Sequence, residues 1–400
     1  MTESTTGTTM HELLTAAIDS GQRLVVIPGT DGRPRMVVTT DPGDARKVLL
    51  SGDYSVLTGP KAWFAEHVAP HGLLVTEGDP WRVQRRLLDP LFASPEWMDD
   101  TITECVAAAV EQLEGYADTG EPVDLTAMMS RLLLAITAGG LFGVAGQDLT
   151  TAIEDVTAVL DTVTTLLPSA GRARESGAVE ALRTVVARRI DDLAPDEHGP
   201  VLRALLTVPG DDDRALIDQI VTLLLAGFET TASTVTWAWV HLMRHEQLYR
   251  HWRRLVCTGD PDADAMTAAI LDETLRDTPA SWLIGRTARH DTRLGDITIP
   301  AGCPVTTSPW LIHHHPRHWD TPSVFDPGRF LSGPPPRRAW LPFGAGRRYC
   351  LGARLARREA LVVLTGLATR FTFQLLSDDL RPRYQFVLRP PVVHVSVHTE

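Results

Sequence analysis

Nothing in the 400-residue chain divides it: there is no Pro-, Gly- or Ser-rich linker and no internal repeat. The length would allow two or three ordinary domains, but the missing boundaries make one large domain over residues 1–400 the expectation. Cysteine is scarce. Cys105, Cys257, Cys303 and Cys350 are scattered without the paired spacing of a zinc site or a disulfide framework, which fits a reducing cytoplasm. Long apolar runs are missing as well. No stretch reaches the ~18 apolar residues of a membrane span, and the nearest approach, Leu132 to Gly146, is broken by glycines. Residues Met1–Thr9 have neither a basic start nor an apolar core, so neither a signal peptide nor a membrane anchor is expected. A net charge of −12, from 38 basic against 50 acidic residues, argues against a nucleic-acid partner.

What is present is enough apolar residue, 44%, to bury a large core. Arg23–Ile27 and Arg35–Thr39 are β-branched runs around Pro28, Gly29, Asp31 and Gly32, a hairpin signal. Short strands also fit Ile297–Ile299, Val305–Thr307, Tyr384–Leu388 and Val392–His398. Helical pattern fills most of the rest: a helix opened by Asp79-Pro80-Trp81, then Glu104–Tyr116, Asp124–Ala138 and Val179–Leu193. Asp211–Asp213 reads as an interhelical turn. The longest helix, Leu216–Met243, is apolar on nearly every face and so belongs inside the protein. Its middle reads Ala226-Gly227-Phe228-Glu229-Thr230-Thr231. A carboxylate there needs a partner, since an unpaired buried charge costs several kcal/mol. Alone, Glu229 reads as an acid held by backbone or an arginine, and Thr230 as a hydroxyl bonded back to the preceding turn.

Cys350 follows the run Phe343-Gly344-Ala345-Gly346-Arg347-Arg348-Tyr349 and precedes an apolar helix over Leu351–Ala368. Glycines there let the backbone fold back, and the helix start favours an ionised sulfur, the form that binds metal. An isolated cysteine would otherwise be a small buried residue. Glu273 and Arg276 are three apart and share a helical face. Trp81 and Arg85, four apart, can point an indole N–H and a guanidinium the same way. His313, His314 and His315 are followed at once by Pro316, and three consecutive side chains cannot all face one ion on regular backbone, so a metal role is not expected.

Taken together and in order, these motifs resemble the cytochrome P-450 family of thiolate-haem monooxygenases, over nearly the whole chain. The resemblance implies a mainly α fold with small peripheral β-sheets enclosing haem b (iron protoporphyrin IX). It makes Cys350 the axial ligand, with Phe343 over the sulfur and Gly344 and Gly352 shaping the approach; a thiolate there favours O–O cleavage. Trp81, Arg85, Arg286 and Arg348 would meet the haem propionates. Ala226 and Gly227 would lie at the haem, the glycine opening space for dioxygen. Glu229 would relay protons and the Thr230 hydroxyl hold a water. Glu273, Arg276 and Arg329 would form a structural triad. Substrate contacts would come from Ser55–Thr76, Phe228, Ala280–Ile284 and Gln385–Val387, with Trp63, Phe64, Trp282, Leu283, Ile284 and Phe386 making an apolar lining for a mid-sized lipophilic molecule. Two departures stand out: Trp81 where many soluble bacterial members carry His, and His314 where the family shows Arg or a related pattern.

With no flavin or iron–sulfur module in the chain, the resemblance implies a separate ferredoxin and ferredoxin reductase. Arg347, Arg354, Arg357 and Arg358 would be either a docking patch or a solvated helix face. The expected activity is insertion of one oxygen atom of dioxygen into a small molecule of secondary metabolism, in the cytoplasm, without nucleic acid or membrane. Oxidative cyclisation, desaturation or C–C coupling by the same haem is the alternative, and a non-catalytic haem sensor or carrier the more distant one.

Overall fold

The computed structural model describes residues 15–16, 22–29, 33–143, 177–207 and 213–399, so Met1–Thr9 and Asp211–Asp212 lie outside the described residues. The chain runs β1 (Leu24–Pro28), β2 (Pro34–Thr39), α1 (Pro42–Leu50), β3 (Tyr54–Ser55), α2 (Gly59–His67), α3 (Gly78–Ala93), α4 (Asp99–Thr119), β4 (Val123–Asp124) and α5 (Leu125–Phe142). It continues through α6 (Ala178–Asp192), α7 (Pro200–Leu206), α8 (Asp213–Arg244), α9 (Glu246–Thr258) and α10 (Ala263–Asp277). Next come β5 (Ile284–Ala288), β6 (Thr292–Leu294), β7 (Ile297–Ile299), β8 (Pro304–Thr307), α11 (Pro309–His313) and α12 (Gly328–Leu331). It closes with α13 (Ala353–Ala368), β9 (Phe371–Leu375), β10 (Arg383–Tyr384), β11 (Leu388–Arg389) and β12 (His394–Thr399). Helices dominate and the sheets are small, as the residue pattern predicts.

The interior is built around α8, which lies along α5 and also touches α6, α9, α10, α13 and β9. Both α5 and α8 are long and apolar enough to cross a membrane, yet 67% of each apolar window is buried against the rest of the protein. Several hydroxyls inside α8 are satisfied locally. The hydroxyls of Thr231, Thr234 and Thr236 each donate to the carbonyl four residues back, so threonine costs little there. Gly227 serves this packing: a Cβ at its position would lie 3.0 Å from Thr137 Cγ2 of α5.

The larger sheet has the order β1-β2-β8-β5-β3, parallel only between β2 and β8. It carries Arg286 on β5, one position from the β3 pairing of Ser55 with Thr287. The expected strand Tyr384–Leu388 is instead a hairpin of two short strands, Tyr384 pairing with Leu388 across the turn Gln385–Val387. That turn is fixed from behind, where Leu388 N donates to Ala280 O (2.9 Å) and Ser233 Oγ of α8 donates to Leu388 O (2.7 Å).

Glu273 and Arg276 on α10 are wholly buried and bonded twice, Arg276 Nε to Oε2 at 2.9 Å and Nη2 to Oε1 at 2.8 Å. Arg276 Nη1 also donates to the carbonyls of His313 (3.1 Å) and Pro322 (2.8 Å), and Asp326 N donates to Glu273 Oε1 (2.9 Å). Arg329 Nε lies 3.0 Å from Glu273 Oε2 as the third member of the network. The three histidines separate. His313 Nε2 accepts from Leu341 N (3.0 Å), His314 Nε2 lies 3.1 Å from Asp277, and His315 Nδ1 accepts from Arg317 N (3.1 Å). They share no ion.

Removing one partner of a buried, hydrogen-bonded ion pair strands the other, at about 3–5 kcal/mol. Glu273→Ala should therefore lower unfolding stability by that amount, measured by urea denaturation; a loss under about 1 kcal/mol would place the pair outside the stabilising framework.

Candidate active site

The loop before α13 is shaped by two glycines in the left-handed region, Gly344 at φ 73° and Gly346 at φ 76°. The second is doubly constrained, since a Cβ there would lie 2.8 Å from the carbonyl oxygen of Leu49. The loop closes through Cys350 N donating to Phe343 O (3.0 Å) and Tyr349 N donating to Gly346 O (3.0 Å). Cys350 comes two residues before Gly352, the N-cap of α13, and Gly352 has nothing within 4 Å of the side chain it lacks.

The thiol departs from the sequence expectation. Burial pushes its pKa up, opposed by a backbone hydrogen bond at Gly352 and the Arg85 charge, so in the polypeptide alone desolvation outweighs the helix start. Yet Cys350 has exposed surface. A group that is both surrounded by protein and open to solvent lines an internal space. Ala226 agrees: it is exposed in the middle of α8, where Leu224, Leu225, Phe228 and Glu229 are buried.

On the α8 side of the site, Thr230 Oγ1 donates to Ala226 O (3.0 Å). A hydroxyl that donates still has lone pairs to accept from a water. Glu229 is buried and ion-paired with Nε of Arg389 on β11, a partner that the motif alone does not reveal. Glu359 on α13 is a second acid that sequence reading missed. It is buried against Thr231 and pushed up to about 8, burial being the main cause, which keeps it protonated at neutral pH. The signal available was a glutamate on the apolar stripe of a helix.

Cations gather at one edge of this space. Arg348 lies over the Trp81 ring, 4.3 Å from its centroid, and donates to the carbonyls of Leu73 (3.0 Å) and Thr76. Arg286 is buried and makes one hydrogen bond, to Gly285 O (2.8 Å), among the described residues. Both are pushed down to about 10, chiefly by burial. Arg85 pairs with Asp89 (2.5 Å) and donates to Tyr349 O (2.8 Å). The Trp81 indole N–H makes no hydrogen bond among the described residues. A surplus of buried positive charge at one edge and an accessible thiol fit a group with carboxylates on its rim and a thiophilic metal within, which is the chemistry of iron porphyrin.

The apolar lining is smaller than expected. Phe64 (2% exposed) and Trp282 (1%) are closed into the core, and Trp282 donates to Gln385 O (2.7 Å), so they brace the wall rather than face the space. Leu283 and Ile284 keep accessible surface, and Phe386 at the β10–β11 turn is 40% exposed. Trp63 and Phe228 are buried at 8% and 6%. The arginine patch is also reduced. Arg357 pairs with Asp272, Arg358 with Asp99, and Arg354 donates to Ala93 O (2.7 Å), leaving Arg347 and Arg354 as the two of these four that are exposed and without a carboxylate partner among the described residues.

The family model for Cytochrome P450 matches residues 29–173 and 180–396. Among curated proteins, the chain is 31% identical over 388 residues to cyclooctatin synthase of Streptomyces melanosporofaciens, covering 86% of this chain and 82% of that protein. It is 31% identical over 339 residues to cyclooctat-9-en-7-ol 5-monooxygenase of the same organism, covering 77% and 73%. Among solved structures, a zebra fish cytochrome P450 with progesterone superposes at TM-score 0.82 with 25% identity, covering 98% of this chain and all of that one.

The loop geometry itself is testable. Gly346→Ala combines a left-handed φ with a backbone collision, so it should cost about 1–3 kcal/mol of stability by thermal unfolding. Gly352→Ala, with open space around it and an ordinary φ, should cost well under about 1 kcal/mol in the apoprotein.

Proposed function

The chain belongs to the cytochrome P450 family of monooxygenases, and on that premise we propose that it binds haem b through Cys350 and oxygenates a lipophilic small molecule of secondary metabolism, with electrons from a separate ferredoxin system. The observation that carries the residue assignment is the accessible thiol of Cys350, held by a left-handed glycine loop that borders the same internal space as the cation edge. When bound, haem supplies the binding and reductive activation of dioxygen. Everything else falls to the chain. Cys350 gives up its proton to metal binding, which overcomes the upward push of burial on its pKa. Arg286, Arg348, Arg85 and the Trp81 N–H hold the carboxylate edge.

Thr230, donating to Ala226 O, accepts from a water and holds it on the α8 side. Glu229, kept at the rim by Arg389, passes protons from solvent to that water. Such positioned proton transfer contributes on the order of 100-fold or more to a rate. Leu283, Ile284, Phe228 and Phe386 form an apolar wall, which suits a hydrocarbon-rich substrate. The relative named for monooxygenation of cyclooctat-9-en-7-ol supports a substrate of that kind, an alkenol. The proposed docking of ferredoxin rests on Arg347 and Arg354, the charges on that face left without carboxylate partners.

Two measurements test this. Reduced holoprotein under carbon monoxide should show the red-shifted Soret band of thiolate-ligated haem, and Cys350→His should lose it while any retained haem takes the imidazole-type spectrum; an unchanged band in the variant would remove Cys350 as the ligand. Thr230→Ala should keep haem but divert reducing equivalents to hydrogen peroxide, with product per electron pair falling by on the order of tenfold. Tightly coupled turnover in that variant would rule out the proposed role. Substrate candidates are ranked by the Soret shift that each produces on binding to the holoprotein.

A further inference from the structure

Of the 38 basic residues in the chain, only Lys47 and Lys61 are lysine. Lys61 is on the first turn of α2, and that turn is fastened directly beside Arg286. Thr287 Oγ1 on β5 donates to Leu57 O (2.7 Å), and a side chain at Gly285 would run into Thr58 Cγ2, 2.4 Å away. The segment that follows α2 is held by Arg348 through the carbonyls of Leu73 and Thr76. Lys61 is thus near enough to Arg286 and Arg348 for both charges to act on it, and no carboxylate pairs with it among the described residues. The carboxylate that acts electrostatically on both arginines, Glu77, is already taken by Val56 N (2.8 Å), Ser55 Oγ (3.1 Å) and Arg289 (2.7 Å).

Burial and the two arginines push Lys61 down to about 7, while part of its surface stays accessible, the same pairing of properties that marks Cys350 as lining the internal space. Three cations crowded at one buried edge require anions from outside the polypeptide. A lysine suits the third position for a reason an arginine does not. An ammonium can release its proton when no anion is present and regain it when one arrives, whereas a guanidinium stays charged.

We infer that Lys61 is a further binding residue for the cofactor, its ammonium joining Arg286 and Arg348 in holding the carboxylate edge of the haem. This rests on the haem reading above, and its test uses protein already shown by the carbon monoxide spectrum to hold thiolate-ligated haem, so the two can fail separately. Haem transfer from holoprotein to excess apomyoglobin is measured for the native protein, Lys61→Gln and Lys61→Arg. Loss of a charge-assisted hydrogen bond should speed haem release by on the order of tenfold in Lys61→Gln, with Lys61→Arg restoring most of it.

A structural role for Lys61 is separated by reconstituting the native protein and Lys61→Gln with haem dimethyl ester, whose edge carries no charge. The difference between the two proteins should then disappear. The propionate bending band in the resonance Raman spectrum should also move in Lys61→Gln with ordinary haem. Equal release rates with ordinary haem would overturn the inference and point the ammonium at a substrate carboxylate instead. A difference that persists with the ester would overturn it in favour of a packing role.

Discussion

One buried ion pair fixes the geometry on which the candidate site depends. Glu273 and Arg276 have no access to solvent, so each needs the other, and Arg276 spends its remaining donors on carbonyls of a segment far away in sequence. The chain of contacts is short. Arg276 holds the His313 carbonyl, the His313 ring accepts from Leu341 N, Leu341 O accepts from Gly344 N, and Phe343 O accepts from Cys350 N. A carboxylate on α10 is thereby linked to the position of a thiol beyond the far end of a long irregular stretch. Such a stretch has few ladder hydrogen bonds of its own, so its conformation is set by whichever rigid donor it can satisfy.

A second constraint is charge left over. Several arginines of this acidic chain are matched with carboxylates across the fold: Arg357 with Asp272, Arg358 with Asp99, Arg389 with Glu229. At Arg286, Arg348 and Lys61 that matching stops, although all three are screened poorly from one another. The polypeptide alone pays a repulsion there that a dianionic edge would reverse. A cofactor in this position is a structural element as much as a reagent, because it supplies the counter-charge and the apolar bulk against which Ala226 and Cys350 would close.

What the sequence disclosed and what it hid follow from the range of each interaction. Local signals were legible: the apolar period of α8, the left-handed glycines, the three-residue spacing of Glu273 and Arg276, the hairpin at the start. Partners across the fold were not. Arg389 is 160 positions from Glu229, and no local pattern joins them. Gly227 reads naturally as space for a ligand, but the direction of a missing Cβ is decided by how α5 crosses α8. Trp282 and Phe64 look like pocket wall by composition, yet an indole whose N–H reaches Gln385 O is held inward. Arg357 and Arg358 look like a surface patch until the acids on neighbouring elements are placed beside them. Lys61 had no motif at all; its environment, not its neighbours in sequence, singles it out.

The hairpin β10–β11 joins the two functions that the site has to coordinate. Its turn carries the exposed Phe386, and its second strand carries Arg389, which holds Glu229. The same strand is pinned to α8, where Ser233 donates to Leu388 O, one turn of helix from the acid. Phe386, Leu388 and Arg389 thus follow one another within a few residues as the exposed apolar side chain, the anchor on α8 and the partner of Glu229. The turn is tied down on both sides of Phe386, by Trp282 Nε1 donating to Gln385 O and by the bonds at Leu388. One short hairpin therefore fixes both an exposed apolar side chain and the ion pair that holds Glu229, so neither is positioned independently of the other.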